Sequence, residues 1–492
     1  MAKWLSNLFS RKPLTAQLAR PRATEAKKVN IRARFDVAQT TPENWRHWAY
    51  ADAFSASAAA TPMVRRILRI RARYEIANNS YARGIISTLA NDCVGTGPRL
   101  QVLTDKATIN NQLEAAFSAW ATAVKLPQKL RTMRMAKAGD GEAFGLMVSN
   151  PKLDNPVKLD LRLLEAEQVA TPMFIPSEYA DDGVRFDAHG NPTEYDILKR
   201  HPGSFGYANL LDYYTVPAEA VLHYFNTDRP GQRRGIPEIL PALPLFAQLR
   251  RYTQAVAAAA EAAADFALVV YTDAPANGES DPLEPMDTIE LESRMATIMP
   301  AGWKLGQAKA EQPTTTYREF HATLLNEIAR CLNMPYNIAA GNSSGYNYSS
   351  GRLDHQTYYK SIRVEQSDLE DEVLDHLFSA WLQEAVLIEG FLPQSLRMRD
   401  VHPAHQWMWD GAEHVDPVKE ANAQQIRLIS NTTTLAAEFA RQGKDWEKEL
   451  TQRAREVKKC LELGLTPILP APVPAKETVP PEETDEETPA DD

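Results

Sequence analysis

His402, His405 and His414, with Asp410 and Glu413 set among Trp407 and Trp409, form the densest group of potential metal ligands in this sequence. Zinc sites use His and Cys at short, recurrent spacings, and this group matches none of the standard patterns. Two acidic pairs, Asp140 with Glu142 and Asp181 with Asp182, are the other arrangement with the chemistry to hold a cation. The stretch GDGEAF from Gly139 to Phe144 falls short of calcium-loop spacing and has no acid at the twelfth position, so two turn carboxylates are the simpler reading. The loop GNSSGYNYSSG from Gly341 to Gly351 is rich in Gly and Ser. It lacks the Gly-Lys-Ser/Thr ending and the strand-to-helix setting of a nucleotide-binding loop. Cys93, Cys331 and Cys460 lie far apart with no C-x-x-C pair, and read as reduced structural thiols of a cytoplasmic compartment. Neither a metal nor another cofactor is expected, and no residue group commits the chain to catalysis.

A chain of 492 residues exceeds what one core accommodates, so two or more packed regions are expected. The net charge of −10 offers no broad basic face for tight nucleic-acid binding, so contact with DNA must be weak or local. Charge is concentrated at the ends. Residues 1–34 hold nine Lys or Arg against Glu25, and residues 471–492 hold eight Asp or Glu against Lys476. Both ends read as solvated arms. The first residues contain no apolar run of signal-peptide length, so secretion is not expected. The most apolar stretch, Ala255 to Tyr271, carries Glu261 and Asp265, each costing about 2.5 to 3.5 kcal/mol in a bilayer, so no membrane span is expected.

These residues must be placed by helices and strands that the hydrophobic period reveals. From Pro42 to Asn91 the pattern is helical. Met63, Ile67, Ile70, Tyr74 and Ala77 recur at steps of three and four, and Arg65, Arg66, Arg69, Arg71 and Arg73 fill the positions between, which predicts an apolar face and an opposite basic one. After the turn at Gly95 to Pro98, alternation predicts strands at 143–148, 157–163, 194–198 and 221–225, hence a mixed α+β region. Leu245, Leu249, Tyr252, Val256, Ala259, Ala263, Phe266 and Val270 then form one seam on a helix of about seven turns. Its lower half is nearly all Ala, which suits side-by-side packing with copies of itself. A Pro- and Gly-rich excursion follows, too long for a plain connection. A helix from the capping signal Thr316/Glu319 is halted by Pro335. A long helix from about Arg352 to Glu389 and short helices over 417–464 complete the pattern, before a Pro- and Glu-rich tail. Two helices bracketing a small module suggest a stalk with a tip.

Four stretches, in order, resemble the lambda-type portal protein family of tailed bacteriophages: RARYEIANNSYARGIISTLANDCVGTGPRLQ, HYFNTDRPGQRRGIPEILPAL, FHATLLNEIARCLNMPYNIAAGNSSGYNYSSGR, and WMWDGAEHVDPVKEANAQ with TTLAAEFARQGKDWEKEL. The resemblance implies an α+β, predominantly helical portal fold assembling as a ring. It implies a basic arm (1–40), a wing (41–236), a first stem helix (237–270), a clip (271–313) and a second stem helix (314–334). A tunnel loop (335–352), a long wing helix (353–394), a helical crown (395–465) and an acidic tail (466–492) follow. Asn342, Asn347, Tyr348 and Arg352 become candidates to face DNA, and Val256, Ala259, Ala263 and Phe266 to pack between stems. The family implies a ring of twelve subunits at one capsid vertex of the virion, assembled in the host cytoplasm. Its partners would be double-stranded DNA, the terminase large subunit, major capsid and scaffold proteins and a head-completion adaptor. The alternatives are a scaffold or minor capsid protein that forms no ring, or a metal-dependent nuclease or maturation protease using the acidic pairs or the histidine group.

Overall fold

The computed structural model describes residues 40–171, 180–204, 212–265, 269–272, 303–306, 316–345, 347–392, 403–411 and 417–466. The basic arm, most of the Pro-rich excursion, His402, His414, Glu413, Phe266 and the acidic tail beyond residue 466 lie outside them. The chain divides into a unit ending at Phe54 and a larger one from Ser55 onward. In the first, Thr41 and Asn44 cap one another: the Asn44 side chain accepts the Thr41 amide at 2.7 Å, and the Thr41 hydroxyl accepts the Asn44 amide at 3.2 Å.

The larger unit opens with α1 (Ala56–Ala59), α2 (Pro62–Asn78) and α3 (Ser80–Val94). Asn79 separates α2 from α3, and its carboxamide oxygen caps α3 by accepting the amides of Tyr81 and Ala82. Strand β1 (Arg99–Val102), α4 (Ala107–Ala123) and α5 (Leu126–Asp140) follow, then β2 (Glu142–Ser149) and β3 (Leu159–Leu164). Next come the short strands β4 (Ala180–Asp181) and β5 (Val184–Phe186), then β6 (Pro192–Leu198), β7 (Tyr213–Pro217) and β8 (Val221–Phe225). Strands β3, β2 and β8 form one antiparallel sheet, and β4 to β7 form another in sequence order. All four strands expected from alternation are present.

Helix α6 (Leu243–Asp265) is followed by β9 (Val269–Thr272), which pairs with β10 (Trp303–Gly306). Val270 therefore belongs to a strand, and the expected seven-turn helix is shorter by its last turn. Helices α7 (Thr316–Arg330) and α8 (Tyr336–Ala340) lead to α9 (Tyr348–Leu369), which continues through one π-helical stretch, Glu370–Leu374, into α10 (Asp375–Leu387). The loop after Gly341 is thus shorter than expected, because Tyr348 and Arg352 already lie in the first turns of α9. Strand β11 (His405–Met408) returns to pair with β1, and α11 (Pro417–Ile429), α12 (Leu435–Arg441) and α13 (Trp446–Glu462) close the described chain. None of the described helices is long and apolar enough to cross a membrane.

The main core lies among α3, α4, α5, α9 and α10. Leu113, Trp120, Leu130, Tyr358, Val373 and Trp381 are fully buried, and Phe117 meets Trp381 and Phe378 edge-on at 5.3 and 5.7 Å. A second core, with Phe144, Leu146, Leu164, Val184 and Ile197, fills the space between the two larger sheets. Strand β2 serves both, sending Ala143 to one core and Phe144 and Leu146 to the other.

Helix α2 has the expected period and its two faces, and it is the basic face that turns inward. Arg65, Arg69, Ala72 and Glu75 are buried, whereas Met63, Ile67, Ile70 and Tyr74 face outward with 41–63% of their surface exposed. The physical reason is the set of carboxylates waiting on the inner side.

Candidate functional site

The loop that the resemblance assigns to DNA begins where Gly341, at φ 61°, ends α8. Asn342 is exposed, donates its amide to the Asn337 carbonyl at 3.0 Å, and accepts the Ser344 amide on its side chain at 2.9 Å. Asn347 is exposed, and its carbonyl accepts the Gly351 amide at 3.0 Å. Arg352 is exposed, with no carboxylate at ion-pair distance among the described residues. The side chain of Tyr348 lies outside the described residues, as does Tyr346.

Both ends of the loop are tied down. Asn337, buried in α8, meets His355 of α9 at 2.9 Å. One turn further, the buried Tyr358 donates its hydroxyl to Asp92 of α3 at 2.9 Å, and Gln366 donates to the Cys93 carbonyl at 2.9 Å. Burial raises the Asp92 carboxyl above its ordinary range despite that hydrogen bond, and pushes the Cys93 thiol up to about 12, so Cys93 is an inert packing group. A short polar loop on a fixed base is the arrangement in which loops carry contacts for function.

Behind this base lies a buried charge network that the sequence pattern did not reveal. Glu142, fully buried at the start of β2, accepts from Arg234 at 2.6 and 2.8 Å, from Arg69 at 3.3 Å and from the Gly235 amide at 3.0 Å, and its Oε2 lies 3.1 Å from His223. Burial alone would raise this carboxyl, but Arg234 and His223 hold it well below the usual carboxylate range. Arg65 binds Asp182 at 2.7 Å, and Arg73 grips Asp140 through two bonds of 2.7 and 2.8 Å while also reaching Glu167 at 3.0 Å. Arg65, Arg69 and Arg73, four residues apart on α2, thus each meet a carboxylate. On α5, Lys137 and Arg134 converge on Glu365 of α9, which also accepts the Tyr224 hydroxyl.

The acidic pairs that a hydrolytic reading would need are therefore held by guanidinium groups, and a metal would have to displace them. Glu165, Glu167 and His201 form one further cluster of suitable size. Arg73 already lies 3.4 and 3.0 Å from those two carboxylates, and the Nδ1 atom of His201 accepts the Gly203 amide at 3.0 Å, which places the neutral ring's proton on the nitrogen facing them. It is an ion cluster. His405 lies 3.1 Å from Asp375, and Asp410 accepts from Thr96 and Arg99, so the first ties β11 to α10 and the second ties the segment after β11 to β1 and the turn before it. Gly341 to Gly345 has G-x-S-x-G spacing, but Ser343 follows a helix instead of a strand and is not raised on a nucleophile elbow.

Along the Ala seam, Leu249 is buried and Tyr252 stacks on Tyr317 at 5.5 Å and meets Phe320 at 4.8 Å, so the upper seam packs against α7 of the same chain. Val256 is half-buried and Ala259 is exposed, while the side chain of Ala263 lies outside the described residues.

The profile of the family described as phage portal protein, lambda family, matches residues 41–366. A probable portal protein of Halomonas phage phiHAP-1 is 23% identical over 428 residues, covering 81% of each chain. Portal protein B of Escherichia phage lambda is 23% identical over 181 residues, 36% of this chain and 34% of that one. A chain from the neck of an empty gene transfer agent particle, computed with C6 symmetry, superposes with a TM-score of 0.46 at 13% identity, covering 80% of this chain and 92% of that one. With its two larger sheets, its α6–α7 pair and the flanks of its loop all inside the matched segment, this chain belongs to the lambda family of phage portal proteins.

Proposed function

We propose that this portal protein closes into a ring of twelve copies at one capsid vertex, and that DNA passes through the ring during packaging and ejection. In this reading residues 41–236 form the wing, α6 and α7 the stem, 271–313 the clip, 353–394 the long wing helix and 395–465 the crown. The observation that carries it is the unburied apolar surface of the last helices. Trp446, Leu450, Val457 and Leu461 follow one face of α13, yet no residue of that helix is buried. Val418, Ile426 and Ile429 of α11 are likewise exposed. Helices of this kind complete their burial against neighbours. The expected stem-packing residues Val256, Ala259, Ala263 and Phe266 lie between adjacent stems in this reading.

Asn342, Asn347, Tyr348 and Arg352 touch the DNA backbone by hydrogen bonds and one charge, without reading bases. The chain is a structural channel, and the terminase large subunit supplies the energy. Scaffold and major capsid proteins surround the ring during assembly in the host cytoplasm, and a head-completion adaptor docks afterwards.

Mass photometry with electron microscopy of the purified chain tests the reading. Rings of twelve times 55.0 kDa with an open centre are expected, and Ala259→Arg should leave soluble single copies. A compact dimer or tetramer without a hole would refute the ring, and normal rings from Ala259→Arg would remove the seam from the interface.

A further inference from the structure

The outward stripe of α2 is an apolar feature that the wing itself leaves unexplained. Met63, Ile67, Ile70 and Tyr74 step by four, three and four along one face, and all are exposed. The helix cannot roll this face inward, because Arg65, Arg69 and Arg73 on its other side are held by Asp182, Glu142, Glu167 and Asp140. Breaking those buried pairs would strand charges away from water. Arg66 and Arg71 flank the stripe, both exposed, and neither has a carboxylate at ion-pair distance among the described residues.

A surface of opposite character lies elsewhere on the same chain. Where β8 meets the π-helical stretch, a groove of about 390 Å³ is lined by Phe225 with Asp228, Asp368, Asp371 and Glu372. Among the described residues none of these four carboxylates has a Lys or Arg within ion-pair distance. Burial raises the Asp368 and Glu372 carboxyls and neighbouring carboxylates add to it, against the pull of Lys137 on both and of His376 on Glu372, so the groove is under-compensated. One copy does not satisfy itself. Helix α2 packs on α3, α5 and α6, and the π stretch packs on β8; α5 stands between them, sending Asp140 to Arg73 and Lys137 to Glu365.

We propose that the α2 stripe of one copy docks on the acidic groove of the next, with Arg66 and Arg71 set against Asp228, Asp368, Asp371 and Glu372. This rests on the ring reading above and names a wing contact for it. Two different, complementary patches make a head-to-tail contact, the kind that generates a ring when its rotation closes.

The test is charge exchange in the full-length chain, read by mass photometry. Arg66→Glu/Arg71→Glu and Asp371→Lys/Glu372→Lys should each reduce the ring fraction at least tenfold at a concentration where the native chain is fully assembled. The chain carrying all four substitutions, and an equimolar mixture of the two double variants, should recover rings, since each reversed face then meets its complement. Ile67→Ser/Ile70→Ser, which alters no charge and no buried partner, should also lower the ring fraction while leaving the thermal unfolding midpoint of the single copy unchanged. Rings at native level from either charge-reversed double variant would overturn the proposal while the ring reading stands, as would failure of the combined chain to recover rings. A native chain that assembles into a compact oligomer without a hole would overturn the ring reading and this contact with it.

Discussion

At the scale of single residues, Glu142 stands at the centre of the buried charge network because it meets two buried guanidiniums with one carboxylate. Glu142→Gln keeps the shape and leaves Arg234 with only Asp182 at 3.4 Å and Arg69 with only Glu167 at 3.1 Å, a change expected to cost about 3–5 kcal/mol. Thermal unfolding should show a clearly lower midpoint, whereas Arg352→Gln at the exposed start of α9 should move it little. His223 beside it gives a pH signature. Burial lowers its pKa first, and Arg234 and Arg65 add to this against the pull of Glu142. A histidine kept neutral in the folded state contributes stability that is complete above the unfolded pKa of about 6.5 and declines as pH falls below it. The raised carboxyls of Asp368, Glu370 and Glu372 act in the opposite sense, gaining stability as they protonate. The difference between the native chain and His223→Gln isolates the histidine: between pH 7 and pH 5 the variant should lose less stability. Parallel curves would show that His223 is not the group responsible.

At the scale of elements, two glycines decide how the Arg234 loop reaches β2. A Cβ on Gly235 would stand 2.0 Å from the Gly141 carbonyl oxygen, and Gly141 itself sits at φ 95°. Gly235→Ala must therefore push the two backbones apart, and a loss of about 3 kcal/mol is expected. Gly139→Ala would meet only the end of the Ile76 side chain, at 2.7 Å, and should cost far less. Chemical denaturation of the two variants separates these cases, and equal losses would contradict the close approach at Gly235. Sequence periodicity located α2, α6, α7 and four strands because each carries its own hydrophobic repeat. It did not show which face of α2 turns inward, since arginines are buried only if distant carboxylates receive them, and Glu142 and Asp182 are 73 and 117 residues from their α2 partners. The β1–β11 pairing and the π stretch were illegible for related reasons: one joins segments about 300 residues apart, and the other adds a residue to a helix without a change in composition. The loop's position was legible from Gly341 to Asn347, and its tethers through Asn337 and Tyr358 were not.

At the scale of the whole molecule, a net charge of −10 suits a channel that must not hold what passes through it. In the proposed ring each phosphate neutralised would add to affinity and to salt dependence, so a wall with few free cations would leave DNA mobile. Purified rings should bind a short duplex with a Kd weaker than about 10⁻⁵ M near physiological salt, with a salt slope of no more than about two phosphates. Fluorescence anisotropy across a salt series checks this, and tight binding with a steep slope would contradict a slippery wall. The setting of α2, with its arginines inward, also bears on how the chain is made. During synthesis Glu142 emerges 73 residues after Arg69, and Arg234 another 92 residues later. At roughly 5–20 residues per second, the nascent helix waits on the order of ten to thirty seconds before the network that fixes its orientation is complete. Until then its apolar side is the more attractive one to bury, so the ribosome-bound chain must either delay docking this helix or be shielded by a chaperone, and a product stalled before Arg234 would be left with the helix free to turn the wrong way.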